Sequence, residues 1–345
     1  MGARTWPSAA LVLALLAVAT ACGRPATAPS RQPVLSTTAA AHLEQVVSTL
    51  RMQWYWRHTV LWPEFRERVF ERADGASTIP ETFDAIRLAL TMLGDRHSYY
   101  ITADGEFIFN PQSPSRVTGT CVIQDPTPPA LPASVGYVRV RIFLEGDTLA
   151  QATAIQDAIR AADRDDLEGW IVDLRNSRGG NMWPALAGIG PVLGTGTAGH
   201  FVGIGSVTPW GYEDGRAWLG SATMVALAGP YELRRPMPRV AVLTDIGVSS
   251  SGEAIAIAFR GRPNTRSFGA ATCGLSTAVA QFPLTNGARV GVVTSLMADR
   301  RQATYGNEVI PDEVIGGADE VVARAVAWLV TGADPLQLSS VRQDD

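Results

Sequence analysis

The chain has 345 residues, 46% hydrophobic and 18% charged, with a formal net charge of −4; this is the composition of a globular protein with room for a large domain and a smaller companion. Its arginines are scattered among carboxylates without a basic stripe, which argues against nucleic acid as a partner. There is no lysine, since all 29 residues of the Lys+Arg count are arginines, so an amine side chain is excluded as a catalytic base.

At the N-terminus, Arg4, the apolar run Leu11 to Val18 and the small residues before Cys22 have the form of an export signal. The segment 1–22 resembles a bacterial lipoprotein signal, in which Cys22 is lipidated and tethers the mature chain to a membrane. An ordinary cleaved signal or an uncleaved anchor is the alternative, and each sends the protein out of the cytoplasm. Disulfides persist there, so Cys121 and Cys273 are either a bonded pair or two separate buried thiols.

Residues 23–36, rich in Pro, Ala, Thr and Ser, read as a tether. A helical domain is expected over 37–110. Leu43, Val46, Val47 and Leu50 form one apolar stripe, and Trp54, Tyr55, Trp56, Leu61, Trp62 and Phe65 an aromatic cluster. A second helix is expected from Thr78, with Glu81 completing a capping box, burying Phe83, Ile86, Leu90 and Leu93. Residues 111–133 form a proline-rich connector too short for another domain.

From 134 to 332 the texture is α/β, followed by a tail over 333–345. Val138, Val140 and Ile142 alternate with arginines as a half-exposed strand. Leu149, Ala152, Ile155 and Ile159 mark a helix, and Trp170 to Leu174 and Arg239 to Leu243 are buried strands. Strands separated by helices predict a mixed sheet with crossover helices. Asn286-Gly287 predicts a hairpin, and Glu320 to Val330 a last helix.

Two motifs follow strand-like runs. Val248-Ser249-Ser250-Ser251-Gly252-Glu253 lies between a strand and a helix, a placement that exposes a serine hydroxyl at a helix N-terminus, where free N–H groups favour developing negative charge. Asp173-Leu174-Arg175-Asn176-Ser177-Arg178-Gly179-Gly180 ends in glycines that let a backbone N–H approach a substrate carbonyl. Singly, the first is an N-cap and the second a turn. Together, at two strand ends, they make a serine nucleophile with an oxyanion hole. Without lysine the base falls to histidine, of which there are His42, His58, His97 and His200.

These residues resemble the tail-specific, or C-terminal-processing, serine proteases, and within them the histidine-dependent branch related to the tricorn core. The resemblance implies a ClpP/crotonase-like α/β catalytic core behind a small helical domain. The segment 173–180 matches D-L-R-x-N-x-G-G with the asparagine displaced by one. The family's nucleophile, three residues before a glutamate, carries over to Ser250, with Glu253 behind it. Gly269-Ala270-Ala271-Thr272-Cys273-Gly274 is followed by Leu275, where the Ser/Lys branch keeps its lysine. Gly94-Asp95-Arg96-His97-Ser98 matches the other branch's G-D-x-H segment, implying His97 as base and Asp95 or Ser98 as its orienting group. The branch's C-terminal acid aligns with Tyr305, leaving Asp299 or Glu308 to substitute.

The resemblance implies a polypeptide substrate, backbone N–H groups of Gly179 and Ser251 in the oxyanion hole, no cofactor, no metal and no PDZ domain. A group titrating at roughly 6 to 7 is expected to govern activity. A bond between Cys121 and Cys273 is expected to fix the loop that lacks the lysine. The rival readings are a non-catalytic binding module of the same fold and an esterase.

Overall fold

The computed structural model describes residues 35–114 and 119–332. Cys22 and the signal-like segment, most of the tether, and the C-terminal tail lie outside the described residues.

Three helices come first: α1 (Thr37–Gln53), α2 (Trp62–Arg72) and α3 (Phe83–Leu93). Ser36 caps α1 by accepting from the Ala39 N–H. The capping box expected at Thr78 does not start α3. Glu81 instead accepts from the Ser77 N–H at 2.6 Å, and a single 3-10 turn, Pro80–Thr82, precedes the helix. α3 stops at Gly94, whose φ of 77° a side chain rarely adopts, and there the chain turns into Asp95-Arg96-His97.

A hairpin, β1 (Tyr99–Ile101) and β2 (Phe107–Phe109), leads through the connector to β3 (Val135–Arg139), α4 (Thr148–Ala162), β4 (Gly169–Asp173) and α5 (Met182–Leu193). An antiparallel meander follows, with β5 (Gly196–Gly203), β6 (Ser206–Glu213), β7 (Arg216–Leu219) and β8 (Ala222–Ala226). Next come β9 (Val240–Thr244), α6 (Ser251–Ala258), β10 (Thr265–Gly269), β11 (Thr277–Pro283), β12 (Arg289–Asp299), β13 (Glu313–Val314) and α7 (Ala318–Thr331).

The α/β core with crossover helices divides its strands between two sheets of uniform sense. One is parallel, in the order β13-β10-β9-β4-β3. Every residue of β4 and β9 is buried, as strands covered on both faces must be. Side chains alternate between those faces: Trp170 and Val172 pack with α4, α5 and α6, while Ile171 packs with α7. The other sheet is antiparallel, β2-β1-β12-β5-β6-β7-β8, with β11 on the far side of β12. α1 to α3 share one core with Val290, Val292 and Val293 of β12, and β1 pairs with β12, so the helical segment is built onto the antiparallel sheet.

β4 and β9 are neighbours in register, Asp173 opposite Leu243, so their C-terminal turns leave the sheet side by side, where α/β proteins form their sites. A buried ion pair stiffens the first turn. Arg175 Nε and Nη2 donate to the two Asp173 carboxylate oxygens at 2.9 and 2.7 Å, and the Tyr137 hydroxyl adds a third donor at 3.0 Å. Both side chains are almost wholly enclosed. Breaking such a pair strands a buried charge, at about 3–5 kcal/mol. Arg175→Met is therefore expected to lower unfolding free energy by about that much in urea titration, with partial recovery in Asp173→Asn/Arg175→Met. Equal stability of wild type and the single variant would show that the pair does not hold the turn.

Candidate active site

Ser250 is the N-cap of α6, with φ 53° and ψ −114°. A non-glycine residue in such a conformation costs about 1–3 kcal/mol and persists only where its surroundings enforce it. Glu253 supplies the enforcement. Its side chain, with no exposed surface, accepts the Ser250 N–H at 2.7 Å, the Leu275 N–H at 2.8 Å, the Gly274 N–H at 2.9 Å and the Thr272 hydroxyl at 2.5 Å. The strand, tight turn and helix thus leave the Ser250 hydroxyl partly exposed at the top of the sheet.

The turn after β4 closes against it. A Cβ on Gly179 would stand 2.9 Å from Ser250 Cβ and 3.2 Å from its Oγ, so only glycine brings this backbone beside the hydroxyl. A Cβ on Gly252 would lie 2.0 Å from the Ser177 carbonyl oxygen, which also accepts the Ser249 N–H at 3.1 Å. Ser251 Oγ donates to Gly180 O at 2.6 Å, and Asp245 Oδ1 accepts the N–H of both Asn176 and Gly247 at 2.9 Å. The two turns are thereby fixed to each other. Among the described residues, neither the Gly179 nor the Ser251 N–H has a hydrogen-bond acceptor.

His97 follows α3 and lines a cavity of about 560 Å3 together with Gly179, Ser250 and Ser251; Phe109, Phe143 and Trp183 make much of its wall apolar. The residues expected as orienting groups have other partners. Asp95 Oδ1 accepts the backbone N–H of His97 at 2.9 Å and of Ser98 at 2.6 Å, and Oδ2 takes the Ser98 hydroxyl and the Trp54 indole N–H. Asp95 therefore shapes the loop and does not touch the ring. Ser98 is turned away, its oxygen accepting from Val293 N–H at 3.1 Å. Asp299 accepts the Arg301 and Ala303 N–H groups at the end of β12, and Glu308 reaches Arg96 at 3.7 Å. The imidazole's partner is Thr277 at the start of β11, 2.7 Å from Nδ1.

The other histidines lie elsewhere. His42 is in the helical core against the Tyr100 hydroxyl, His200 is buried on β5 with Nδ1 at 3.0 Å from the Asp299 carbonyl, and His58 is exposed.

Cys121 and Cys273 are bonded, with Cα atoms 5.6 Å apart, and form a small buried cluster with Leu275. The bridge joins the connector to the loop whose N–H groups reach Glu253. Among the described residues, no three His, Cys, Asp or Glu side chains are grouped so as to hold a metal ion.

Residues 134–315 match the family model of peptidase family S41. The chain belongs to peptidase family S41. It is accordingly a serine-type peptidase, of the family the motifs resemble. The nisin-resistance protein of Lactococcus lactis subsp. lactis is 24% identical over 281 residues, covering 78% of this chain and 80% of the relative. A lipoprotein from Streptococcus agalactiae superposes with a TM-score of 0.66 at 20% identity, covering 87% of this chain and 99% of that one. The photosystem II D1 C-terminal processing protease gives 0.57 at 15% identity, covering 87% and 98%. These likenesses show the fold.

In this S41 chain, burial pushes the His97 imidazole down to about 4, against the opposing pull of the Asp95 charge. That lies below the range of 6 to 7 expected for the group that governs activity. Because the folded value lies below the ordinary 6.5, the unfolded chain takes up the proton first. The neutral ring's contribution to stability is present above pH 6.5 and is lost as pH falls towards 4. Between pH 7.5 and 5 the urea midpoint of wild type is expected to fall further than that of His97→Gln; parallel falls would place His97 in an ordinary solvated environment.

Proposed function

We propose that this S41 peptidase is an extracytoplasmic endopeptidase in which Ser250 is the nucleophile and His97 the base. The observation that carries the reading is the strained Ser250 cap, held beside two unpaired backbone N–H groups in the cavity that His97 also lines. Strain of that kind is kept where a hydroxyl must project from a sheet.

The steps follow from the donors and acceptors available. For Nε2 to take a proton, Nδ1 must carry one, and Nδ1–H then donates to Thr277 Oγ1. Nε2 removes the Ser250 proton as Oγ attacks the peptide carbonyl. The Gly179 and Ser251 N–H groups stabilise the oxyanion, each such donor being worth about 10²-fold or more in rate. The imidazolium gives its proton to the leaving nitrogen, and water repeats the sequence on the acyl-enzyme. A hydroxyl stabilises imidazolium less than a carboxylate does.

Location outside the cytoplasm is supported by the signal-like segment ending at Cys22 and by the Cys121–Cys273 bond. The names of two relatives point the same way, one a lipoprotein and the other tied to nisin resistance, which makes an externally encountered peptide a reasonable substrate class. Lipidation at Cys22 would hold the enzyme at a membrane.

The test is labelling with a fluorophosphonate followed by peptide mapping. Modification at Ser250 is expected, and Ser250→Ala is expected to lose both label and peptidase activity while unfolding within about 1 kcal/mol of wild type. Label on Ser249 or Ser251, or turnover by Ser250→Ala, would contradict the assignment.

A further inference from the structure

On the other side of His97 lies a second cavity of about 550 Å3. The two cavities share Arg96, His97, Leu275 and Thr277, so the hydrogen-bonded His97–Thr277 pair forms the wall between them. Neither the Ser250 turn nor the Gly-Gly segment reaches the second cavity. It is walled by Trp54, Trp56 and Leu93 from the helical segment, Leu296 of β12 and Tyr305.

Several of the polar groups that line it have partners within the protein. The Trp54 indole N–H donates to Asp95, whose two oxygens also take the His97 and Ser98 groups. Arg96 reaches Glu308 and the Gly274 carbonyl, and the Tyr305 hydroxyl faces Asp299 at 3.4 Å. What an occupant meets is largely aromatic and aliphatic surface, with Trp56 and Leu296 only partly covered, beside the exposed Asn307. A largely apolar cavity that shares a wall with the cleft can take a large side chain.

We infer that this second cavity is the subsite for the residue that follows the scissile bond, and that it selects a large apolar side chain there. The inference rests on the assignment of His97 as proton donor to the leaving nitrogen. A leaving nitrogen that takes its proton from His97 departs on the His97 side, away from Gly179 and the oxyanion, which is the side on which the second cavity lies. A charged side chain would lose hydration, whereas an aromatic or branched aliphatic one would exchange water for Trp56 and Leu296. Glycine would leave the cavity wet.

Two measurements test this with wild-type protein, Trp56→Ala and, from a different element, Leu296→Asn. The first uses quenched peptides identical except for Phe, Leu or Gly after the cleaved bond. Wild type is expected to favour Phe and Leu over Gly by about tenfold or more in kcat/KM, and each variant to reduce that ratio to about threefold or less. The second is calorimetric binding of the tetrapeptides Phe-Ala-Gly-Ala and Gly-Ala-Gly-Ala, which represent the departing product and need no turnover. Wild type is expected to bind the first at least tenfold more tightly, and Trp56→Ala to bind the two alike. Equal cleavage and equal binding across each series, or a wild-type preference that both variants keep, would overturn the subsite. Failure of the Ser250–His97 assignment would read differently, as absence of fluorophosphonate label at Ser250 with the tetrapeptide preference intact.

Discussion

Glu253 sits without exposed surface in the first turn of α6 and accepts four hydrogen bonds, from Ser250, Thr272, Gly274 and Leu275. Three of those donors are backbone N–H groups, which cannot reverse their role. Burial pushes the carboxyl up to about 7 while the four donors pull it back. Its folded value lies above the ordinary 4.5, so the stability it contributes is complete below that pH and is lost as pH rises through about 7. The clamp is thus an expensive group placed where a strained serine has to be kept in place. Without it, the Ser250 N–H loses its acceptor and the strained cap a main restraint.

The same clamp extends to His97. Leu275, whose N–H reaches Glu253, is two residues before Thr277, whose hydroxyl meets His97 Nδ1. One covalent segment therefore carries the reference point of the nucleophile and the partner of the imidazole. The Cys121–Cys273 bond and the hydrogen bond from Cys273 N–H to Val248 O at 2.9 Å secure that segment from the other side. In the Ser/Lys relatives implied by the motifs, a lysine follows this loop; here Leu275 packs with the disulfide, and the loop has become a support rather than a source of the base.

Much of this arrangement was legible in the residues. The apolar-rich runs 170–174 and 239–243 marked two buried strands, which lie side by side, and the Ser-rich and Gly-Gly segments after them read as the two halves of one site. His97 stood out once lysine was absent. Thr277 did not, because a lone threonine opening a β-strand has no signature, and its role depends on the fold bringing residues 180 positions apart into contact. The carboxylates nearest in sequence drew attention instead, and Asp95 proved to be occupied by backbone and indole donors.

The meander β5 to β8 was also unreadable, for a packing reason. Gly199 and Gly211 lie where a Cβ would come within 2.3 Å of the Trp210 ring and 2.1 Å of the Gly196 carbonyl oxygen, and such glycines interrupt the alternation that identifies a strand. The depressed basicity of His97 was hidden likewise, since it comes from burial, which the motif around it does not encode.

The central claim is that His97 is held neutral, with its proton on Nδ1 facing Thr277 and Nε2 free to act as base. Nitrogen-15 NMR of histidine-labelled protein, with the His97 signals assigned by comparison with His97→Gln, measures this directly among four histidines. At pH 7 the account predicts a neutral ring, protonated at Nδ1 and unprotonated at Nε2, remaining so down to about pH 5. A cationic ring at pH 7, or a neutral ring carrying its proton on Nε2, would contradict it.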